Sequence, residues 1–344
     1  MAEARSVDSA TLPQAQPIAV GDLTEAELIA NVRDRLPPAP AWMVVGVGDD
    51  AAVVEPERNR LEVLTVDALV EGVHFNRAFT PAAAIGHRAL AVNLSDLAAM
   101  GATPRLALLS FALPVALPLA DFQALVDGLL ALASRFRVAV AGGNLTRTGG
   151  PLVLDVTVIG SVKRRRALTR AGARPGDEVY VTGTLGAAAA GLQMLKTDAA
   201  AVGPCVQRYL YPEPRIRTGS LLARNRAATA CMDLSDGLAD AVRQVAEASG
   251  VGMTIDAEAL PLEPEARRWF DARGHDAVAE AITGGDDYEL LVTCRPRAGG
   301  RLAAVRRHGD APLTRIGTCT ADRAVVLRHA DEVRPMPRGF IHFR

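Results

Sequence analysis

KRRRALTRAGARPGD, residues 163–177, is a charged, turn-rich stretch set between two apolar blocks, and it divides the chain. Upstream, VAVAGGN (138–144) and LVLDVTVIG (152–160) read as strands. Before them come an amphipathic helix at 119–136, the strand LALLSFALP (106–114), and a helix over 81–100 with Pro81 in its first turn. Further out lie the strand LEVLTVDAL (61–69) and VVGVGDDAAVV (44–54), two short strands around a Gly-Asp-Asp turn. Thr24 and Glu27 form a capping-box pattern ahead of the helix ELIANVRDRL, which PPAPA (37–41) ends. Downstream, DEVYVTG is a strand and AAAAGLQML a helix. Strands are then expected at 228–233, 251–256, 288–293 and 313–318, with helices at 237–248, 263–272 and 299–307. This reading predicts a disordered tail at 1–20, an N-terminal domain at 21–162 and a C-terminal domain at 163–344. Strand and helix alternate in both halves, so the fold class is α/β or mixed α+β.

The composition narrows the function. Of 344 residues, 38 are Lys or Arg and 39 are Asp or Glu, a net charge of −1 that gives no basic excess for a phosphate backbone. Aromatic residues are 4%, too sparse for platforms that stack single-stranded bases. The residues before Pro17 carry no apolar core, so no signal peptide is expected. The longest apolar run, RLALLSFALPVALPLA, is broken by Pro114 and Pro118, and no membrane span is expected. Cys205, Cys231, Cys294 and Cys319 have neither CxxC nor zinc spacing and read as small buried residues of a cytoplasmic protein.

Acidic residues recur beside glycine and apolar residues at strand ends. They are Asp49 and Asp50, Asp67, Asp96, Asp233 and Asp236, and Asp286 and Asp287, with Asn144 in AGGNLTR. Taken singly, each is an ordinary turn former or helix cap. Together they are carboxylates in surroundings that make charge costly without a cation. Hard oxygen donors without His or Cys suit Mg²⁺, and Mg²⁺ bound this way commonly also holds nucleotide phosphates. The pattern therefore points to phosphoryl transfer. TGTLGAAAAGL (182–192) is a glycine turn opening a helix but lacks the Walker Lys-Ser/Thr, and close packing explains it equally well. Arg170 is a candidate phosphate contact, whereas Arg164 to Arg166 read as solvated linker charges. His74 alone reads as a structural hydrogen-bonder. GGN followed by TRTGG reads as a plain hairpin.

In order, GVGDDAAVV, TVDALVEGVHF, ALAVNLSDLAAMGA, GGNLTR, RALTRAGARPGDEVYVTGTLG, DLSDGL and GGDDYEL resemble the thiamine-monophosphate kinase family. That family lies in the superfamily of aminoimidazole ribonucleotide synthetase, selenophosphate synthetase and a hydrogenase maturation factor. The resemblance runs from about residue 22 to GFIHF at the end. It implies a two-domain aminoimidazole ribonucleotide synthetase-like fold, with an N-terminal sheet pairing across a homodimer and a C-terminal α+β domain over the nucleotide cleft. It implies ATP-dependent phosphorylation of thiamine monophosphate to thiamine diphosphate by direct in-line transfer with Mg²⁺. The alternatives are another ATP-using enzyme of the superfamily and a catalytically silent Mg-ATP-binding relative.

Carried over by motif, the resemblance makes Asp50, Thr65, Asp67, Asp96, Asn144, Asp233 and Asp236 metal ligands. It makes Gly143, Asn144, Arg170 and Ser235 ATP contacts. It places His74, Asp286 and Phe340 on the thiamine phosphate, with Phe340 a cation–π partner for the thiazolium. The attacking phosphate oxygen is already ionised, so no general base is expected. Three positions depart from the family pattern. Asn144 replaces a common Asp and removes one negative charge. Val66, between Thr65 and Asp67, offers no side-chain oxygen. Asp286 stands where Glu is frequent and is shorter by one methylene.

Overall fold

The computed structural model describes residues 18–339. Its helices are α1 (Glu25–Arg33), α2 (Ala82–Ala99), α3 (Leu119–Phe136), α4 (Ala187–Thr197), α5 (Pro204–Leu210), α6 (Ile216–Asn225), α7 (Leu238–Ser249), α8 (Pro264–Asp271), α9 (Ala277–Thr283) and α10 (Gly299–His308). Its strands are β1 (Met43–Val45), β2 (Val53–Val54), β3 (Arg60–Val70), β4 (Thr103–Pro114), β5 (Ala139–Thr148), β6 (Val153–Lys163), β7 (Glu178–Thr182), β8 (Ala230–Asp233), β9 (Gly252–Asp256), β10 (Leu290–Cys294), β11 (Leu313–Thr320), β12 (Val325–His329) and β13 (Glu332–Pro335). Of the segment read as a tail, residues 18–20 belong to the fold: Ala19 bridges to Pro118, and buried Val20 donates its amide to Leu117. The capping box forms at α1, where the Thr24 hydroxyl accepts from the Glu27 amide and the Glu27 carboxylate from the Thr24 amide.

The first half builds a four-stranded sheet in the order β3-β6-β4-β5. β6 runs antiparallel to both neighbours, while β5 lies parallel to β4 because α3 crosses over between them. The hairpin reading of GGNLTRTGG is thereby corrected. β5 continues through Thr148 and pairs with β4, not with the β6 that follows it. Gly143 is fixed by this pairing, since a Cβ there would lie 2.0 Å from the Leu109 carbonyl oxygen. Along β3 the side chains alternate. Thr65 and Asp67 are half-buried on the face toward α2, while Leu64, Val66 and Ala68 are exposed on the other. The β1–β2 ribbon packs on that outer face through Met43 and Val54, against Leu106 and Ile159.

Helix α2 is apolar on nearly all sides and so belongs inside. It packs against α3, β3 and β6 of the first half and against α6 and β8 of the second. The approach to α6 is close: a Cβ on Gly219 would fall 2.0 Å from the Ala98 carbonyl oxygen. The second half carries a seven-stranded sheet in the order β13-β12-β9-β11-β7-β10-β8. β7, β8 and β10 are buried on both faces, which explains their near-continuous apolar sequence. Val179, Val181, Met232 and Leu291 face one core cluster with α7; Tyr180, Cys231 and Val292 join the cluster that runs through α2 and α3. One apolar core thus spans both halves, with α2 at its centre. Among the described residues no helix is long and apolar enough to cross a membrane.

Candidate active site

The end of β3, the last turn of α2 and the end of β8 deliver three carboxylates to one place. The Thr65 hydroxyl donates to Asp96, and Asp96 shares a hydrogen bond with Asp67. The next α2 residue back, Ser95, donates to Asp233 Oδ2 at 2.7 Å. Burial, followed by the Asp96 and Asp233 charges, pushes the Asp67 carboxyl up to about 7. Burial and Asp96 push Asp233 up to about 7, against the Ser95 hydroxyl and Arg170. Asp96 is raised by burial, with Thr65, Asp67 and Arg170 pulling it back. Acids held this close in a poorly solvated place favour a cation among them. Among the described residues, however, no three His, Cys, Asp or Glu groups form a ready-made metal cage. The donors that do meet here, carboxylates and a hydroxyl without His or Cys, are of the hard oxygen type that suits Mg²⁺ rather than Zn²⁺.

Beside the cluster opens a cleft of ≈ 740 Å³, lined by Asp67, His74, Ser235, Asp236 and Asp286 together with Phe75, Phe79, Tyr209 and Tyr288. His74 Nδ1 accepts from the Val70 amide at 3.1 Å, so the neutral ring carries its proton on Nε2. Asp236 directly precedes Gly237, the N-cap of α7, and lines the cleft there. The wall between Gly284 and Leu290 is built from charges. Asp286 pairs with Arg88 of α2 at 3.1 Å and accepts from the Tyr288 hydroxyl at 2.9 Å. Asp287 accepts from the Gly186 and Ala188 amides at 2.7 and 3.2 Å, so those α4 amides hold a carboxylate, not a phosphate. Even so, burial pushes Asp287 up to about 7. Glu289, 0% exposed, is gripped by Arg215 and Arg208, and these outweigh burial to lower its pKa.

The structure sorts the expected site residues into sets. Thr65, Asp67, Asp96 and Asp233 meet in the cluster, and Arg170 sits near enough to stabilise the Asp96 and Asp233 charges. His74, Ser235, Asp236 and Asp286 line the cleft. Asp50 is exposed in the β1–β2 turn, and Gly143 and Asn144 are exposed on β5; among the described residues none of them touches the cluster. Val66 is 58% exposed on the face opposite Asp67, so its missing oxygen takes nothing from this cluster. Phe340 lies outside the described residues. Arg166 is no idle linker charge, since it donates to the carbonyls of Ala223 and Arg224 at the end of α6. Sequence reading passed over Arg88, Arg208, Arg215, Glu289 and Asp155, the last a contributor to the Asp67 shift. Arg88 had a signal, being an arginine inside an apolar helical run, which demands a buried partner.

A four-stranded sheet, a seven-stranded sheet and a carboxylate-lined cleft beside their shared helix define the class of AIR synthase related proteins. Its N-terminal domain model matches residues 48–162 and its C-terminal domain model residues 174–330. Within that class the chain belongs to the thiamine-monophosphate kinase family. It is 38% identical to the thiamine-monophosphate kinase of Escherichia coli K12 over 327 residues, covering 93% of this chain and 98% of that protein. Its fold is similar to the crystal structure of the Stenotrophomonas maltophilia K279a thiamine-monophosphate kinase, with a TM-score of 0.75 and 38% identity over 88% of this chain and 94% of that one. The structure of AaThiL complexed with AMPPCP and TMP has a TM-score of 0.73 and 30% identity, covering 97% of this chain and all of that one (100%).

Proposed function

We propose that the chain transfers the γ-phosphoryl group of ATP to thiamine monophosphate, yielding thiamine diphosphate and ADP. The observation that carries this reading is the convergence of Asp67, His74, Ser235, Asp236 and Asp286 on one cleft beside Asp96 and Asp233. The named relatives supply the substrates, AMPPCP standing for ATP and TMP for thiamine monophosphate. Mg²⁺ held by Asp67, Asp96, Asp233 and Asp236 with Thr65 would neutralise charge on the phosphoryl oxygens. Arg170 and Ser235 hold the nucleotide phosphates. His74 and Asp286 orient the acceptor, with Phe340 against the thiazolium. The acceptor phosphate oxygen is ionised at neutral pH, so the residues position and screen it and no side chain removes a proton.

Gly143 lies in the row of Leu109, Val156 and Asp67, while Asn144, in the row of Ser110, Asp155 and Ala68, and Asp50, in the turn of the β1–β2 ribbon, belong to the outer side of the four-stranded sheet. Leu64 and Val66 on that face are 64% and 58% exposed, which supports a homodimer formed there, with residues 21–162 as its nucleotide and dimer domain and 163–344 as the cover. A cytoplasmic location fits the four free, buried thiols. Incubation with ATP, MgCl₂ and thiamine monophosphate, followed by chromatography, tests the activity. Thiamine diphosphate and ADP in equal amounts are expected. No diphosphate despite Mg-ATP binding would point to another acceptor or a silent relative.

A further inference from the structure

Arg88 is the one arginine of α2 and is 1% exposed, a position where a guanidinium persists only with partners. All its partners lie in the other half of the chain. Nη1 donates to the Tyr209 carbonyl at the end of α5, Nη2 donates to Asp286 Oδ2, and Cζ lies 4.5 Å from the centre of the Tyr209 ring. Its Nε has no hydrogen-bond partner. Burial opposes the Arg88 charge most strongly, and the Asp286 carboxylate together with Tyr288 and Tyr209 more than compensates.

The far end of this pair is in the cleft. Asp286, Tyr288 and Tyr209 all line it. Asp286 (φ 69°) and Tyr288 (φ 49°) both adopt left-handed backbone, which non-glycine residues avoid. Their amides are held by the Ser235 and Leu234 carbonyls at 2.8 and 3.0 Å. The carboxylate is clamped from both sides, Oδ2 by Arg88 and Oδ1 by the Tyr288 hydroxyl, yet 31% of the side chain stays exposed. Each oxygen keeps a second lone pair. A merely stabilising ion pair has no need of strained backbone at a cleft wall, whereas a preset acceptor does.

We propose that Arg88 is a positioning residue. It fixes the Asp286 carboxylate so that the remaining lone pairs accept a hydrogen bond from bound thiamine monophosphate, tying acceptor binding to the packing of α2 against the C-terminal half. This rests on the activity read above. The test measures KM for thiamine monophosphate and for ATP in Arg88→Lys, Tyr288→Phe and Asp286→Asn, and in each of the first two combined with the third. Arg88→Lys and Tyr288→Phe should each raise KM for thiamine monophosphate on the order of tenfold, the scale of a hydrogen bond to a charged group, with KM for ATP unchanged. Added to Asp286→Asn, neither should raise it further. Tyr288→Phe leaves the buried ion pair intact and tests the Oδ1 side of the clamp; if Arg88→Lys does not fold, Arg88→Gln, which removes the buried charge but keeps a donor, takes its place. Wild-type KM in the folded variants, or effects that multiply with Asp286→Asn, would overturn the positioning role alone. A wild type without turnover on thiamine monophosphate would overturn the activity and this role with it.

Discussion

Asp67 sits where chemistry and stability pull in opposite directions. Its carboxyl shares a hydrogen bond with Asp96 and feels Asp233 and Asp155, so without a cation its charge is a burden on the fold. Asp67→Asn should therefore raise the stability of the metal-free protein by about 1 kcal/mol while abolishing turnover. A thermal melt in EDTA and a rate assay check both, and a destabilised variant would mean that Asp67 is held by contacts the charge itself makes. His87 gives the opposite case. Burial lowers its pKa, and its Nε2 lies 2.8 Å from the Pro212 carbonyl. The unfolded chain takes up this proton first as pH falls through about 6.5, so stability is full above that value and declines below it. Between pH 7 and 5.5 the melting temperature of the wild type should fall more than that of His87→Gln; parallel falls would clear His87. The carboxylates were legible in sequence because each stood among apolar and glycine residues. Their sorting was not, because Val66 and Asp67 are neighbours in the chain and point to opposite faces of β3.

At the scale of elements, GGDDYEL is a strap of buried charge, each acid tied elsewhere: Asp286 to α2, Asp287 to the start of α4, Glu289 to Arg215 and Arg208. Glu289→Ala would leave two guanidinium groups facing a dry pocket and should cost about 3–5 kcal/mol. Denaturant melts check this; a loss below 1 kcal/mol would show that water reaches the arginines. The motif was visible in sequence, but its partners lie up to 198 positions away, as Arg88 does from Asp286, and local pattern carries no such information. Helices α2 and α3 were readable from long apolar periodicity. α5, α6 and α9, of 7 to 10 residues, were not; they pack beside α4, α2 and α8, contacts that local sequence pattern does not carry.

For the molecule as a whole, the charged, turn-rich stretch at 163–177 is plain in sequence, yet the apolar core does not stop there. α2 packs on both sheets, and one apolar cluster runs from Leu90 to Val292 and Val305. The site lies where that helix meets the second half, so neither half would hold the carboxylates alone. The outer face of the first sheet exposes Leu64 and Val66, and Leu64→Asp there should convert the proposed dimer into a 36.2 kDa monomer on light scattering. A wild type already at monomer mass would remove the dimer. Direct transfer at the Asp67, Asp96 and Asp233 cluster is tested by a single turnover with γ-labelled ATP and thiamine monophosphate. The label should move entirely into thiamine diphosphate in the wild type and stay in ATP in Asp96→Asn. Label trapped on the protein, or undiminished transfer by Asp96→Asn, would contradict it.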